Sequence, residues 1–211
     1  MRKWISISCP LIMTFILISF GFKNKPVLVP DSLKVNTPTL VSFPQDETFN
    51  AKFLLTPPYI GSSYVGFKEA LAFKESRGRY GVINSLGYLG KYQFGASTLE
   101  LVGIYNVDLF LSNPELQEKA FMTNIARNKW ILRRDIERFS GIKIGNSQVT
   151  ESGIIAAAHL AGPGNVKKYL RSYGAYDVFD DYGTNIARYI KLFSGYDISN
   201  VEPKRNARIL K

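Results

Sequence analysis

Glu75 lies at four-residue spacing from Leu71 and Phe67 in the stretch FKEALAFKESRG, so a helix here would project all three side chains from nearly one face. An acid held among apolar neighbours keeps its proton to higher pH, because its charged form loses water. A protonated acid can then hand that proton to a leaving group. This is the work of the general acid in glycoside cleavage. Lys74 and Arg77 would oppose it by stabilising the charge, but their helical directions differ from that of Glu75, and desolvation is expected to dominate. The plainer alternative is a last-turn glutamate turned to solvent or bonded to a loop. Glu69, Asp108, Glu115, Glu151, Asp180 and Asp181 are also available, yet nothing in the sequence pairs any of them with Glu75. Glu115 and Glu151 fall in helix first turns, where the helix dipole accounts for them. Hydrolytic glycosidases normally use two carboxyl groups at a set separation, so a mechanism with one acid is favoured.

The residues after Glu75 carry a pattern. Glu75 is followed at once by Ser76, and eighteen residues after Glu75 comes Gln93, closing a Gly-x-x-Gly-x-x-Gln stretch through Gly87 and Gly90. Glycines there permit tight turns and close approach of a ligand, and the glutamine amide offers both a donor and an acceptor. Asn84 is a candidate to bond Glu75 or a substrate, with a plain turn residue as the equal alternative. Tyr88, Tyr92 and Phe94 can present flat faces to sugar rings or pack inward, and Tyr92 is taken as a candidate contact.

These residues resemble the catalytic core of the lytic transglycosylases, in the soluble-lytic-transglycosylase branch of the lysozyme-like superfamily. That family opens its site with a Glu-Ser pair at a helix end, as Glu75-Ser76 stands here, and closes the glycine-rich stretch with a glutamine at the register of Gln93. Its Ala-Ala-Tyr-Asn-x-Gly motif is similar to Ala157-Ala158-His159-Leu160-Ala161-Gly162, and its Asp-Leu-Phe and Pro-Glu elements to Asp108-Leu109-Phe110 and Pro114-Glu115. The resemblance runs from about Gly66 to Phe193. Two departures stand out: Lys91-Tyr92 replaces an apolar pair, and His159-Leu160 replaces Tyr-Asn.

The resemblance implies an α+β lysozyme-like fold, mainly α, with a small hairpin or loop region beside the cleft. It also implies cleavage of the MurNAc-GlcNAc β-1,4 bond of peptidoglycan with formation of 1,6-anhydro-MurNAc ends, Glu75 acting as acid and then base. Substrate contacts would come from Ser76, Asn84, Tyr92, Gln93, His159 and Tyr189, the last matching a late family tyrosine near the cleft. Read as residues alone, His159 and Tyr189 serve equally well as core side chains. The alternatives are a hydrolytic muramidase and a noncatalytic peptidoglycan-binding module. No cofactor is implied, and one histidine without neighbouring cysteines leaves too few ligands for zinc.

The elements that must position this chemistry read as helices. A segment from Gly66 is closed by Gly78, and residues 79 to 95 suit turns or a small hairpin. Asn113-Pro114 starts a long helix with an apolar stripe through Leu116, Ala120, Ile125, Ile131, Leu132, Ile136 and Phe139. Thr150 caps a segment ended by Gly162-Pro163, Asn165 is read as capping the next, and a last helix covers about 184 to 193. The lysozyme-like domain is assigned to residues 59–198 and a fraying basic tail to 199–211.

Before it, Arg2 and Lys3 precede an apolar run ending at Phe22, which reads as a signal peptide over residues 1–22, with a retained signal anchor tethering the protein to a membrane as the alternative. Export to the periplasm or cell exterior is expected either way. Cys9 lies too early for a lipid-attachment cysteine, and its removal leaves no thiol for disulfides. Residues 23–58 carry prolines throughout and suit an extended spacer. The 211 residues, 45% hydrophobic, suffice for one domain with a core, and the net charge of +10 favours an anionic partner. Peptidoglycan strands meet that description. Nucleic acid is not expected, because the export signal argues against it and no recognition motif is present.

Overall fold

A computed structural model of the protein describes residues 60–209. The expected export segment 1–22 with Cys9, the expected spacer 23–58 and the expected domain start at Tyr59 lie outside the described residues. Within them the chain is mainly helical: α1 (Tyr64–Ser76), α2 (Ala96–Leu101), α3 (Val107–Ser112), α4 (Pro114–Phe139), β1 (Lys143–Ile144), β2 (Ser147–Gln148), α5 (Glu151–Arg171) and α6 (Ile186–Leu192). Among the described residues, no helix is long and apolar enough to cross a membrane. The strands form one antiparallel hairpin pairing Lys143 with Gln148 and Ile144 with Ser147. Residues 79–95, read as turns or a small hairpin, contain only isolated bridges, Ile83 to Leu89 and Leu89 to Phe94.

Helix starts follow their caps. The Asn113 side chain accepts from the Leu116 N–H, with Pro114 in the first turn, and Thr150 accepts from the Gly153 N–H. Asn165 does not cap a separate helix. It lies inside α5 and donates from Nδ2 to the Ala161 carbonyl at 3.0 Å. The break is at Gly162, whose φ of 77° interrupts α5, and Pro163, which has no N–H to leave unsatisfied, opens the second half.

The core forms where α1, α4, α5 and α6 meet. Phe67 of α1, wholly buried, lies 6.4 Å from Phe121 of α4, and 6.2 Å from Phe193, which follows α6. α5 packs against both α4 and α6. Gly153 lets α6 come close: a Cβ there would lie 2.6 Å from the Ile190 carbonyl oxygen. The buried face of α4 also holds Gln117, Asn124, Asn128, Lys129 and Asp135, which an apolar stripe alone does not anticipate. Asp135 accepts from Arg171 Nε at 2.8 Å and Nη2 at 3.2 Å, joining α4 to α5.

The expected fraying tail is a correction. Lys204 N–H donates to the Ala126 carbonyl at 2.9 Å, Ile209 N–H to Val102 at 2.8 Å, and Val201 and Ala207 are buried. The basic composition of this segment hides two small apolar anchors and backbone pairing that holds it to the domain.

Candidate active site

Glu75 and Ser76 occupy the last turn of α1, and the helix stops because Arg77 adopts a left-handed φ of 58°. Gly78 N–H then reaches back to the Ala72 carbonyl and Arg77 N–H to Phe73, a closure that satisfies the end of the helix. Adjacent helical residues point about 100° apart, so the pair divides. Glu75, half-buried, lines a cleft, while Ser76 is buried behind it.

Ser76 therefore does not reach the cleft as a substrate contact. Its hydroxyl donates to the Lys91 carbonyl at 2.7 Å and accepts from the Arg79 N–H at 3.0 Å. It ties the helix end to the turn that carries Gln93. Tyr92 is a second correction: its side chain is wholly buried, stacked on Phe121 at 3.9 Å, with the hydroxyl donating to Glu118 Oε2 at 2.9 Å. The tyrosine packs inward because Glu118 supplies its polar end with a partner.

Lys91 is buried beside it. Its ammonium donates to Glu69 Oε1 and Glu118 Oε1, each at 2.8 Å, and Lys68 and Tyr80 also donate to Glu118, each at 2.7 Å. Burial works to lower the Lys91 ammonium, but its bonds to Glu118, Glu69 and Tyr80 outweigh that and raise it. Burial likewise works to raise the Glu118 carboxyl, yet the bonds from Lys68, Lys91, Tyr80 and Tyr92 hold it at about 2. The Lys91-Tyr92 pair thus brings its own counter-charge beneath the turn.

Gln93 lies on the cleft side of that turn with a left-handed φ of 49°, unfavourable for a residue with a Cβ. Bonds on either side hold it. Gln117 Oε1 accepts from the Lys91 N–H at 2.8 Å, and Gln93 N–H donates to Gly90 at 3.1 Å. Gly90 is required: its φ is +73°, and a Cβ would lie 2.3 Å from Gln117 Oε1. The Gln93 amide nitrogen donates to the Gly90 and Val82 carbonyls at 2.9 and 3.4 Å, so what it retains for a ligand is the oxygen acceptor. Asn84 lines the cleft too, but its Oδ1 accepts from the Leu86 and Tyr88 N–H groups, both at 2.9 Å. It closes the loop and keeps its NH2 for other partners.

His159 comes from the α5 side. Its Nε2 meets the Tyr92 carbonyl at 2.7 Å, and since a carbonyl only accepts, Nε2 carries the proton. The ring packs edge-on to Phe94 and Phe121, and its remaining edge lines the cleft. Tyr189 of α6 is buried and lies behind Glu75, donating its hydroxyl to Glu75 Oε1 at 2.6 Å. Burial first, then the Glu75 charge and this bond, push the phenol far above its ordinary range, so it stays a donor.

The cleft thus brings together Glu75, Asn84, Gln93 and His159, with Tyr189 gripping the acid from behind and Ser76 and Tyr92 facing away. Asp180, Asp181 and Tyr182 line the same cleft, which their sequence positions do not reveal. Asp180 Oδ1 accepts from the Tyr182 and Thr184 N–H groups at 3.0 and 2.6 Å, folding the loop. The hydroxyls of Tyr182 and Ser85 bond to each other at 3.2 Å, linking the two loops. The Asp-Asp-Tyr-Gly run signals a turn, but nothing local in it points at Glu75. No protein-family model matches the chain, and neither a curated protein nor a solved structure matches it.

Proposed function

We propose that this is an exported peptidoglycan lytic transglycosylase of lysozyme-like fold. The observation that carries the reading is the half-buried Glu75 carboxyl, gripped on Oε1 by Tyr189 and lining a cleft with Gln93, Asn84 and His159. With Oε1 engaged, Oε2 is the oxygen left to give and take a proton.

In this reading Glu75 protonates the glycosidic oxygen, the C1–O bond breaks, and the substrate's acetamido group assists at the anomeric carbon. The muramyl 6-hydroxyl then bonds to C1 and returns its proton to Glu75, so no water is consumed. Exposed Tyr88 and Tyr182 along the cleft offer ring faces to sugars, and the net charge of +10 suits an anionic polymer. Purified sacculi incubated with the full chain should release 1,6-anhydro muropeptides, and Glu75→Gln should release none while keeping its thermal transition. Undiminished release by that variant would reject the assignment.

A hydrolytic muramidase is the second reading, favoured by one observation: Asp180 and Asp181 line the same cleft and could activate a water. Its product would be heavier than the anhydro sugar by one water, which mass spectrometry resolves.

A further inference from the structure

The cleft continues into a wider groove. Leu86, Tyr88, Gln93, His159 and Leu160 line both, and beyond them the wall is α4, with Asn124, Arg127 and Asn128. Arg127 lies three residues after Asn124, on the same side of the helix, and Asn124 and Asn128 are buried amides on this wall. The amides engage each other, Asn128 Nδ2 donating to Asn124 Oδ1 at 3.5 Å.

Arg127 is half-buried, yet it forms neither an ion pair nor a side-chain hydrogen bond among the described residues. Three of the other sheltered cations have anionic partners. Lys68 meets Glu118 at 2.7 Å, Lys91 meets Glu69 and Glu118 at 2.8 Å, and Lys129 meets Glu151 at 3.0 Å. Withdrawing a cation from water is costly unless an anion compensates. A guanidinium also presents a planar fork matched to a carboxylate. Among the described residues none fills that role at Arg127, and a ligand in the groove can.

We propose that Arg127 binds a carboxylate carried on the lactyl arm of a muramyl residue, so that the groove distinguishes muramyl glycan from neutral chitin-like glycan. The proposal rests on the peptidoglycan reading above. The carboxylate can be that of the bare lactyl group on peptide-free strands or one belonging to the attached stem peptide. Both present the same anion on the same sugar, and Arg127 is the residue that reads it.

The test uses the full chain as wild type, Arg127→Gln and Arg127→Lys. Dissociation constants are measured for chitotetraose, a peptide-free GlcNAc-MurNAc tetrasaccharide and its peptide-bearing counterpart. Arg127→Gln should weaken binding of at least one muramyl ligand by about tenfold or more while leaving chitotetraose unchanged, and Arg127→Lys should recover part of the loss. Loss on the peptide-free ligand identifies the lactyl carboxylate, and loss confined to the peptide-bearing one identifies the stem. Equal effects on all three ligands, no effect on any, or no binding by wild type would overturn the proposal. The reaction itself is scored separately by product mass. Wild type that reads the carboxylate through Arg127 but yields no anhydro sugar would refute the transglycosylase reading alone. Anhydro product with charge-blind binding would refute this proposal alone.

Discussion

Tyr189→Phe removes one oxygen and leaves the ring, which is 2% exposed and tilted against Phe193 at 5.2 Å, so the packing of α6 should hold. What disappears is the 2.6 Å bond to Glu75 Oε1. A hydrogen bond to a charged group contributes about 1.5–3 kcal/mol. At about 1.4 kcal/mol per tenfold in rate, its loss from the transition state lowers kcat by about 10- to 100-fold. Tyr189 lies behind the acid rather than along the cleft, so KM should change by less than about twofold. The assay is the initial rate of muropeptide release from sacculi for wild type and Tyr189→Phe, with Glu75→Gln as the inactive reference. Tyr189→Phe within about twofold of wild type, or a loss lying wholly in KM, would refute a positioning role.

Tyr92→Phe should leave turnover unchanged and lower stability by about 1–2 kcal/mol through loss of the bond to Glu118, read from urea unfolding; a tenfold fall in kcat would return the side chain to the cleft. Glu118 has a folded value of about 2 against an ordinary 4.5, so its contribution is complete above pH 4.5 and drains away as pH falls toward 2. At about 1.4 kcal/mol per pH unit that is about 3 kcal/mol, less a discount for the quarter of the side chain still in water, and Glu118→Gln should flatten the acid limb of a stability–pH curve. Gly153→Ala would place a Cβ 2.6 Å from the Ile190 carbonyl oxygen, and because that backbone cannot swing aside, about 2 kcal/mol of stability should be lost, with activity falling too as α6 shifts Tyr189. A Gly153→Ala protein with unchanged melting and turnover would contradict the close packing of α5 on α6.

The sequence is legible where the physics is local. Asn113-Pro114 and Thr150 start helices because a side-chain acceptor beside free N–H groups is a short-range matter, and the spacing of Phe67, Leu71 and Glu75 fixes one helix face whatever lies opposite. Asn165 misled because Gly162 and Pro163 resemble a full stop, whereas the second half of α5 resumes at once. The Tyr189–Glu75 bond spans 114 residues, and Asp180 and Asp181, which line the same cleft as Glu75, are also remote from it in the chain, so neither leaves a short-range signature. Tyr92 was undecidable from its neighbours, because only Glu118 on α4 makes an inward tyrosine tolerable.

The division of labour within the Glu75-Ser76 pair explains how so short a motif can organise a site. Ser76 faces inward and bonds the Lys91 carbonyl, Gln117 bonds the Lys91 N–H, and His159 takes the Tyr92 carbonyl from the far side. Three separate elements therefore clamp the two residues before Gln93, whose left-handed φ of 49° would otherwise relax. Side chains that look like ligand contacts by residue type are used to hold another residue at the cleft. The buried Lys91–Glu118 cluster extends the same clamp downward, since the backbone it supports is the one the clamp grips. An apolar pair at 91 and 92 would need no such counter-charge. The ionic cluster and the Lys91-Tyr92 pair are on this account a single arrangement, and the geometry around Gln93 is what it supports.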